Sequence, residues 1–445
     1  MSSIASINPK DILKLAIPAI IAGIAEPLIS LTDVAIIGNM ETNAVESLLA
    51  VGLVGSFLSA IIWTLAQTKT SISSIVSNAL GSNNLNNIHT LLPQVIWINI
   101  LLGIGIYVVT APLASWIFTQ YNAQGTTLKL SVSYYQVRAL GFPLTLSAFA
   151  IFGIFRGIQN TSWAMIASLC GAAVNILLDY LLVYGIEDLI PAYGVVGAAY
   201  ASLVAQLVML LIALFFLYQH TPFQLHALKR NAHPKLKKHI SLTVNFFLRT
   251  VAINIAIFLS YRYAAGYGAS HGATHAILMN IWLFFSFFID GFANAGNAIG
   301  GKLLGSKDLN GLQYLGKTTT KYGVIIALIL VTICALFYSF IGHQFTDDST
   351  VFNLFMSTFW IVLLMQPINA VAFVFDGIFK GWGEAPYLRN VLIILTAAVF
   401  IPTLLIFDYF DFELKAIWIA FTFWMLGRAA VLTFKFKDRL RSMEN

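Results

Sequence analysis

The sequence has 445 residues, of which 58% are hydrophobic and only 10% charged, against roughly 25% charged in soluble domains. With a mean hydropathy of +0.81, no water-soluble fold could cover so much apolar surface, and lipid must be the solvent for most of the chain. The net charge of +6 is spread through short gaps between apolar runs rather than gathered on a polar domain, which excludes nucleic acid as a partner.

The apolar runs predict twelve membrane-spanning helices, each near or above the roughly 20 residues a span requires. The first begins near Ile12, is as long as a full span and has no small-residue cleavage site, so it is expected to stay as a helix and not to be a cleaved signal. Six spans precede the basic stretch 219–238, which carries Lys229, Arg230, Lys235, Lys237 and Lys238, and six follow it. Alternate loops separate by charge. One set holds Lys10, Lys14, Arg156, Lys302, Lys307 and Lys380, and the C-terminal tail adds Lys435, Lys437, Arg439 and Arg441. The other set holds mostly acids, among them Glu41, Glu46, Asp347, Asp348, Asp408 and Asp411. Bases mark the cytoplasmic side, so both termini are expected there, which an even span count also demands. Cys170 and Cys334 both fall inside apolar runs and offer neither a disulfide framework nor a metal-ligand spacing.

The chain repeats itself at an interval of 224 residues. Leu80-Gly81-Ser82 recurs as Leu304-Gly305-Ser306, Gly153-Ile154-Phe155-Arg156-Gly157 as Gly377-Ile378-Phe379-Lys380-Gly381, and Pro143 as Pro367. Glycine, proline and basic matches that hold one register without a gap are far stronger than matches of apolar residues. The expected architecture is therefore an all-α membrane protein of two six-helix lobes, 1–218 and 239–445, joined by the cytoplasmic loop 219–238. An even number of helices per copy keeps both copies in one orientation, related by a pseudo-two-fold axis along the membrane normal. Such repeats are the usual machinery of alternating access, which points to a transporter.

Ionisable groups at membrane depth are costly and need a reason. Five acids fall within the predicted spans: Glu26, Asp33, Asp179, Asp290 and Asp376. Glu26 and Asp33 lie two turns apart on one face of the first helix, with Pro27 between them to free a carbonyl and permit a kink. Asn175 and Asp179 share a face of the fifth helix. Neither Asp33 nor Asp179 has a Lys or Arg close by in its own span, so each is expected to take up a proton or a small cation. Asp290 opens a polar stripe with Asn294 and Asn297, interleaved with Gly291, Ala293, Ala295 and Gly296; small residues at that spacing suit tight helix packing as well as substrate contact. Asp376 stands four residues before Lys380, the spacing of a helical ion pair. At the repeat interval Asn175 falls opposite Val399 and Asp179 opposite Thr403, so the second copy lacks an acid there and a single site in the first half is expected.

Asp33-Val34-Ala35-Ile36-Ile37-Gly38, Leu80-Gly81-Ser82, Arg156-Gly157-Ile158-Gln159-Asn160-Thr161, the pair Asn175 and Asp179, and Tyr193-Gly194-Val195-Val196-Gly197-Ala198-Ala199-Tyr200-Ala201-Ser202 together resemble the multidrug and toxic compound extrusion family. Gln366-Pro367-Ile368-Asn369-Ala370, Asp376-Gly377-Ile378 and Asp290-Gly291 resemble its DinF-like branch. The resemblance spans essentially the whole chain. It implies a twelve-helix antiporter that exports mostly cationic or amphipathic compounds against a proton or sodium gradient. It carries the cation site of the first lobe onto Asp33, Asn175 and Asp179, places the hydroxyl of Ser202 beside them, and maps a bend of the first helix to Pro27. Asn369 stands where the other large branch has an acid, which argues against that branch's second-lobe site. Glu26 departs from the family pattern as an additional titrating group.

No cofactor and no structural metal are expected; the coupling ion is H+ or Na+, with Na+ placed at Asp33, Asn175, Asp179 and Ser202. The expected partners are small-molecule substrates and the lipid bilayer, in a monomer of the bacterial inner membrane. The alternative is a flippase for a lipid-linked precursor of the same broader superfamily. It would line its cleft with bases, and Arg138, Arg249 and Arg262 are few and near span ends. The 8 histidines lie mostly in loops without metal-ligand spacing, so an enzyme is not expected.

Overall fold

The computed structural model describes residues 7–40, 43–186, 189–223 and 231–444, apart from the side chains of residues 25–28, 30, 31 and 444. Among the described residues, nine helices are long and apolar enough to cross a membrane, and two further pairs bent at a short break bring the number to eleven. The 30-residue helix Pro9–Gly38 makes twelve, the all-α membrane architecture the sequence predicts. In chain order the remaining spans are Ala44–Gly81, Leu85–Thr110, Gly125–Ala139 with Phe142–Gly157, Ser162–Tyr184, Gly194–His220, Leu236–Gly266, Ala269–Ser306, Leu309–Leu336, Ser349–Leu364 with Gln366–Trp382, Ala385–Tyr409 and Leu414–Met443. With no water in the bilayer core, each backbone polar group has to be satisfied within its own segment, which is why the described spans are helical. Large apolar side chains such as Val108, Phe258, Leu336 and Phe434 face outward, a distribution suited to lipid.

The fourth and tenth spans are each bent by 44°. Pro143 and Pro367 sit at the start of the second piece in each case. A proline has no N–H and its ring clashes with the carbonyl one turn back, so the helix cannot continue straight through it. The repeat therefore reproduces its bends as well as its sequence.

It also reproduces its closest contacts. A Cβ on Gly153 would come within 2.4 Å of Lys69 O, and one on Gly377 within 2.1 Å of Ala293 O; likewise Gly157 approaches Ser73 O at 3.1 Å and Gly381 approaches Asn297 O at 2.2 Å. Each partner in the second half lies 224 residues after its counterpart in the first. Two glycines one turn apart let a neighbouring helix backbone come close where any side chain would hold it away.

The chain forms two compact units. One comprises Ile21–Val76 and Asn84–Ile240; the other comprises Met1–Ile20, Ser77–Asn83 and Ser241–Asn445. The first is centred on Phe118, Tyr134, Tyr135, Phe142 and Val183, the second on Trp282, Phe285, Phe355, Phe359, Trp418, Phe421 and Trp424. The last part of the basic loop is anchored to the first unit. Gln94 Nε2 donates to Asn231 O at 3.0 Å, and His233 N donates to Gln94 Oε1 at 2.9 Å.

Candidate functional site

The first, fourth, fifth and sixth spans bring the polar residues of the first unit together. Near the end of the first span, Tyr184 Oη of the fifth span donates to Ile36 O at 2.6 Å, one turn beyond Asp33. Gly171 and Gly197 admit close contact between the fifth and sixth spans, with Gly197 facing the Leu182 backbone. At their shared face Asn175 Nδ2 donates to Ser202 Oγ at 3.3 Å.

Asp33, Asn175, Asp179 and Ser202 are all buried, at 6%, 1%, 0% and 4% exposure. The carboxyl of Asp179 has the side chains of Asp33 and Asn175 beside it. Even so, neither Asp179 oxygen receives a hydrogen bond of ordinary geometry from the described residues, nor does Asp33 Oδ1 or Asn175 Oδ1. Two carboxyls this close repel when both are ionised, and unsatisfied acceptors at membrane depth are costly. The arrangement is one that an added proton or a small cation would complete: a proton bridges two carboxyls, and a cation draws on carboxylate, amide and hydroxyl oxygens together. Glu26 and Pro27 belong to the first helix, but their side chains lie outside the described residues.

The fourth span adds two groups that the sequence reading did not assign to this site, Tyr134 and Arg138, the latter weighed there only as a base for a flippase cleft. Tyr134 is 2% exposed, and its hydroxyl faces the side chain of Arg138. Arg138 in turn acts on the carboxyl of Asp179. Within their own spans the acids have no base beside them, as expected; in space Arg138 of the fourth span comes within electrostatic range of Asp179 without forming an ion pair among the described residues. Arg138 sits at the bend in the middle of the fourth span, not at a span end where the sequence reading put it; the signal available was that Tyr134 and Arg138, four residues apart, share a helix face. Lys69, in the second span, packs its ammonium 5.7 and 5.6 Å from the rings of Phe149 and Phe152 and was likewise passed over.

Asp376 belongs to a different cluster, in the second unit. Lys380 Nζ lies 2.7 Å from its Oδ2, the pair the spacing predicts. Arg249 grips the same carboxylate with two nitrogens, at 3.2 and 2.7 Å, and Arg428 approaches at 3.7 Å. A planar guanidinium is suited to this two-pronged grip. Asp290 is exposed at the edge of this cluster, whereas Asn297 is buried and Asn294 half-buried. The small residues between them do the packing: Gly291 meets Ala16 and Ile20 of the first helix, and Gly296 meets Val374 and Ile378.

Comparison with known proteins places the chain in a family. The sequence profile of the MatE family matches residues 18–181 and again residues 242–410, and the two matches begin 224 residues apart, the interval of the internal repeat. DNA damage-inducible protein F of Escherichia coli (strain K12) is 25% identical over 430 residues, covering 96% of this chain and 91% of that protein. Protein DETOXIFICATION 42 of Arabidopsis thaliana is 27% identical over 320 residues; the match covers 72% of this chain but only 60% of the plant protein's length. A MOP superfamily transporter from Pyrococcus furiosus, described as having a binding pocket of reversed polarity, superposes with a TM-score of 0.89 over 98% of this chain and 97% of that one, at 22% identity. Twelve spans, a repeat matched twice by one profile and a shared fold along nearly the whole chain lead to one conclusion: this chain is a multi-pass membrane protein belonging to the multidrug and toxic compound extrusion family.

Proposed function

We propose that the protein is an antiporter. It exports small organic compounds, mostly cationic or amphipathic, in exchange for a proton or sodium ion taken up at Asp33, Asn175, Asp179 and Ser202. The observation that carries this reading is the buried carboxyl pair Asp33 and Asp179, in which Asp33 Oδ1 and both Asp179 oxygens lack donors among the described residues. A site of this kind binds a cation strongly when one is supplied and has an energetic reason to release its alternative occupant, and differential affinity is what couples two fluxes by alternating access. Similarity to the multidrug export protein MepA of Staphylococcus aureus (strain N315), 22% identical over 75% of this chain, supports a polyspecific drug-like substrate class. Similarity to an Escherichia coli protein supports a bacterial inner membrane, and the loop charges support cytoplasmic termini. The protein is proposed to work as a monomer. The lipid-precursor flippase is disfavoured because Arg249 and Arg428, two bases that could meet an anionic head group, are turned onto Asp376.

The test is substrate-induced collapse of an imposed pH or sodium gradient in membrane vesicles, with cationic dyes as probes. Asp33→Asn and Asp179→Asn are each expected to reduce gradient-driven efflux to background while the protein still inserts. Wild-type rates in both variants would show the site to be elsewhere.

A further inference from the structure

We infer that the ring faces of Phe149 and Phe152 form a subsite for an organic cation, and that Lys69 is a tethered competitor occupying it when no substrate is bound. The inference rests on the reading of the substrates as cationic or amphipathic. It adds where the positive group of the substrate sits and which residue displaces it.

The Lys69 ammonium stands 5.7 Å from the centre of the Phe149 ring and 5.6 Å from that of Phe152, within the roughly 6 Å at which a ring face attracts a cation. The two ring centres are 6.5 Å apart and their planes are inclined by 45°, so one positive group meets both. Phe152 is buried, whereas Phe149 and Lys69 are half-buried; the subsite is closed on one side and open on the other. The repeat shows that Lys69 is not needed for packing. The approach of Gly153 to the Lys69 backbone recurs as that of Gly377 to Ala293, where alanine supplies no long side chain. The helices therefore meet without the lysine.

The ring is repeated where the base is not. Phe149 recurs one interval later as Phe373, and Phe373 also carries a cation over its face, the Arg428 guanidinium at 5.4 Å. Arg428 comes from the twelfth span, and its own counterpart is Val204. Each half thus fills the same ring position with a base from a different helix. In the second half the base is fixed: Arg428 is 3% exposed, gives Nη1 to Met425 Sδ at 3.2 Å and lies 5.2 Å from the Trp424 ring. In the first half it is a lysine, a compact charge on a flexible four-carbon stem. An ammonium is strongly hydrated and does well in water. A quaternary or delocalised organic cation has no N–H to donate there and gains more from the rings. An arriving substrate therefore displaces Lys69, and the returning lysine assists release. The subsite is made by the ring faces, whatever else the ammonium touches.

The experiment measures equilibrium binding of radiolabelled tetraphenylphosphonium to the purified full-length protein in detergent, with no gradient present. Lys69→Gln is expected to bind the probe about fivefold more tightly, the scale of a single cation–ring contact, and Lys69→Arg with wild-type affinity. Phe149→Leu is expected to bind it about fivefold more weakly. In the Phe149→Leu background the tightening by Lys69→Gln is expected to fall below about twofold, because the two residues act on one site. Equal tightening in both backgrounds would make Lys69 a distant repelling charge and overturn the inference. Unchanged affinity in Lys69→Gln, or no binding in it and in the wild type alike, would also overturn it. Should Lys69→Gln not fold, wild-type affinity in Phe149→Leu would overturn the inference, and weaker binding would support it. The antiport reading fails separately, by wild-type efflux in the single aspartate variants, whatever the probe does.

Discussion

Gly81 and Gly305 make reciprocal contacts. A Cβ on Gly81 would fall 1.8 Å from Lys302 O, and one on Gly305 would fall 2.2 Å from Asn78 O; Lys302 stands to Asn78 in the chain as Gly305 stands to Gly81. Gly301 would meet Ser77 Oγ at 2.0 Å in the same way, and Ser77 is its counterpart one repeat earlier. The two Leu-Gly-Ser turns thus close on each other as a self-complementary patch does in a two-fold pair.

The atoms that Gly81 and Gly305 face are backbone, which cannot swing aside. Gly81→Ala and Gly305→Ala are therefore expected to destabilise the protein by about 1–3 kcal/mol each, the range for overpacking. Gly105→Ala, with nothing within 4 Å of the added carbon, is expected to be neutral or slightly stabilising. Thermal midpoints in detergent distinguish these outcomes; equal midpoints for all three variants would show that the close approach relaxes freely.

The Asp376 cluster yields a graded prediction. Three cations depend on one carboxylate whose side chain is 4% exposed, and the Arg249 side chain is 6% exposed. Asp376→Asn leaves those cations without their main counter-charge and is expected to cost about 3–5 kcal/mol. Lys380→Gln removes only the partner that reaches water, at 21% side-chain exposure, and is expected to cost about 1 kcal/mol or less. Thermal midpoints for the two variants that fall together would contradict the hierarchy.

Outside the spans, Tyr267 Oη donates to Asp408. Burial first, and then the bond to the Asp408 carboxylate, hold the phenol's ionisation well above its usual range. A raised phenol favours the neutral donor in the folded state. Its contribution is therefore fully present below the ordinary tyrosine value, near pH ~10, and is lost only as the pH rises beyond that. Tyr267→Phe is expected to lower stability by roughly 1 kcal/mol, since the site is only partly buried, and to do so equally at pH values from about 6 to about 9. A loss confined to one end of that range, in thermal melts at several pH values, would contradict this account.

For the coupling ion, a pH gradient alone in sodium-free buffer is expected to drive efflux from proteoliposomes, since clustered acids favour protonation. A strict sodium requirement would reassign the ion and leave the site standing. Pro27→Ala is expected to slow turnover, measured as efflux rate per reconstituted transporter, because a bend of the first helix near Asp33 would be stiffened; an unchanged rate would remove Pro27 from the mechanism.

Much of this was legible in the sequence. The spans were, because apolar runs of that length have no other use. Asp33 and Asp179 were, as buried candidates, because charge at membrane depth is costly and needs a reason. The repeat was, through its glycines and prolines, although the bends at Pro143 and Pro367 and the helix approaches at Gly153 and Gly377 emerge only in three dimensions. Arg138, Arg249 and Arg428 were not. A lone base within an apolar run carries no sign in the sequence of which helix it faces; the fold turns Arg249 and Arg428 onto Asp376 and sets Arg138 at the bend of the fourth span.

The eleventh span changes its winding at Thr396–Phe400, where five residues form a π-helical turn ahead of Pro402. Val399 lies inside that turn and Thr403 beyond it, while their counterparts Asn175 and Asp179 lie in an uninterrupted helix. A residue added to one turn rotates the rest of the helix by about 100° around its axis. Anyone engineering a second ion site by transplanting the missing carboxyl would find that Thr403→Asp matches Asp179 in alignment and not in direction. The difference between the two halves is thus built into the winding of the helix, and a single substitution does not remove it.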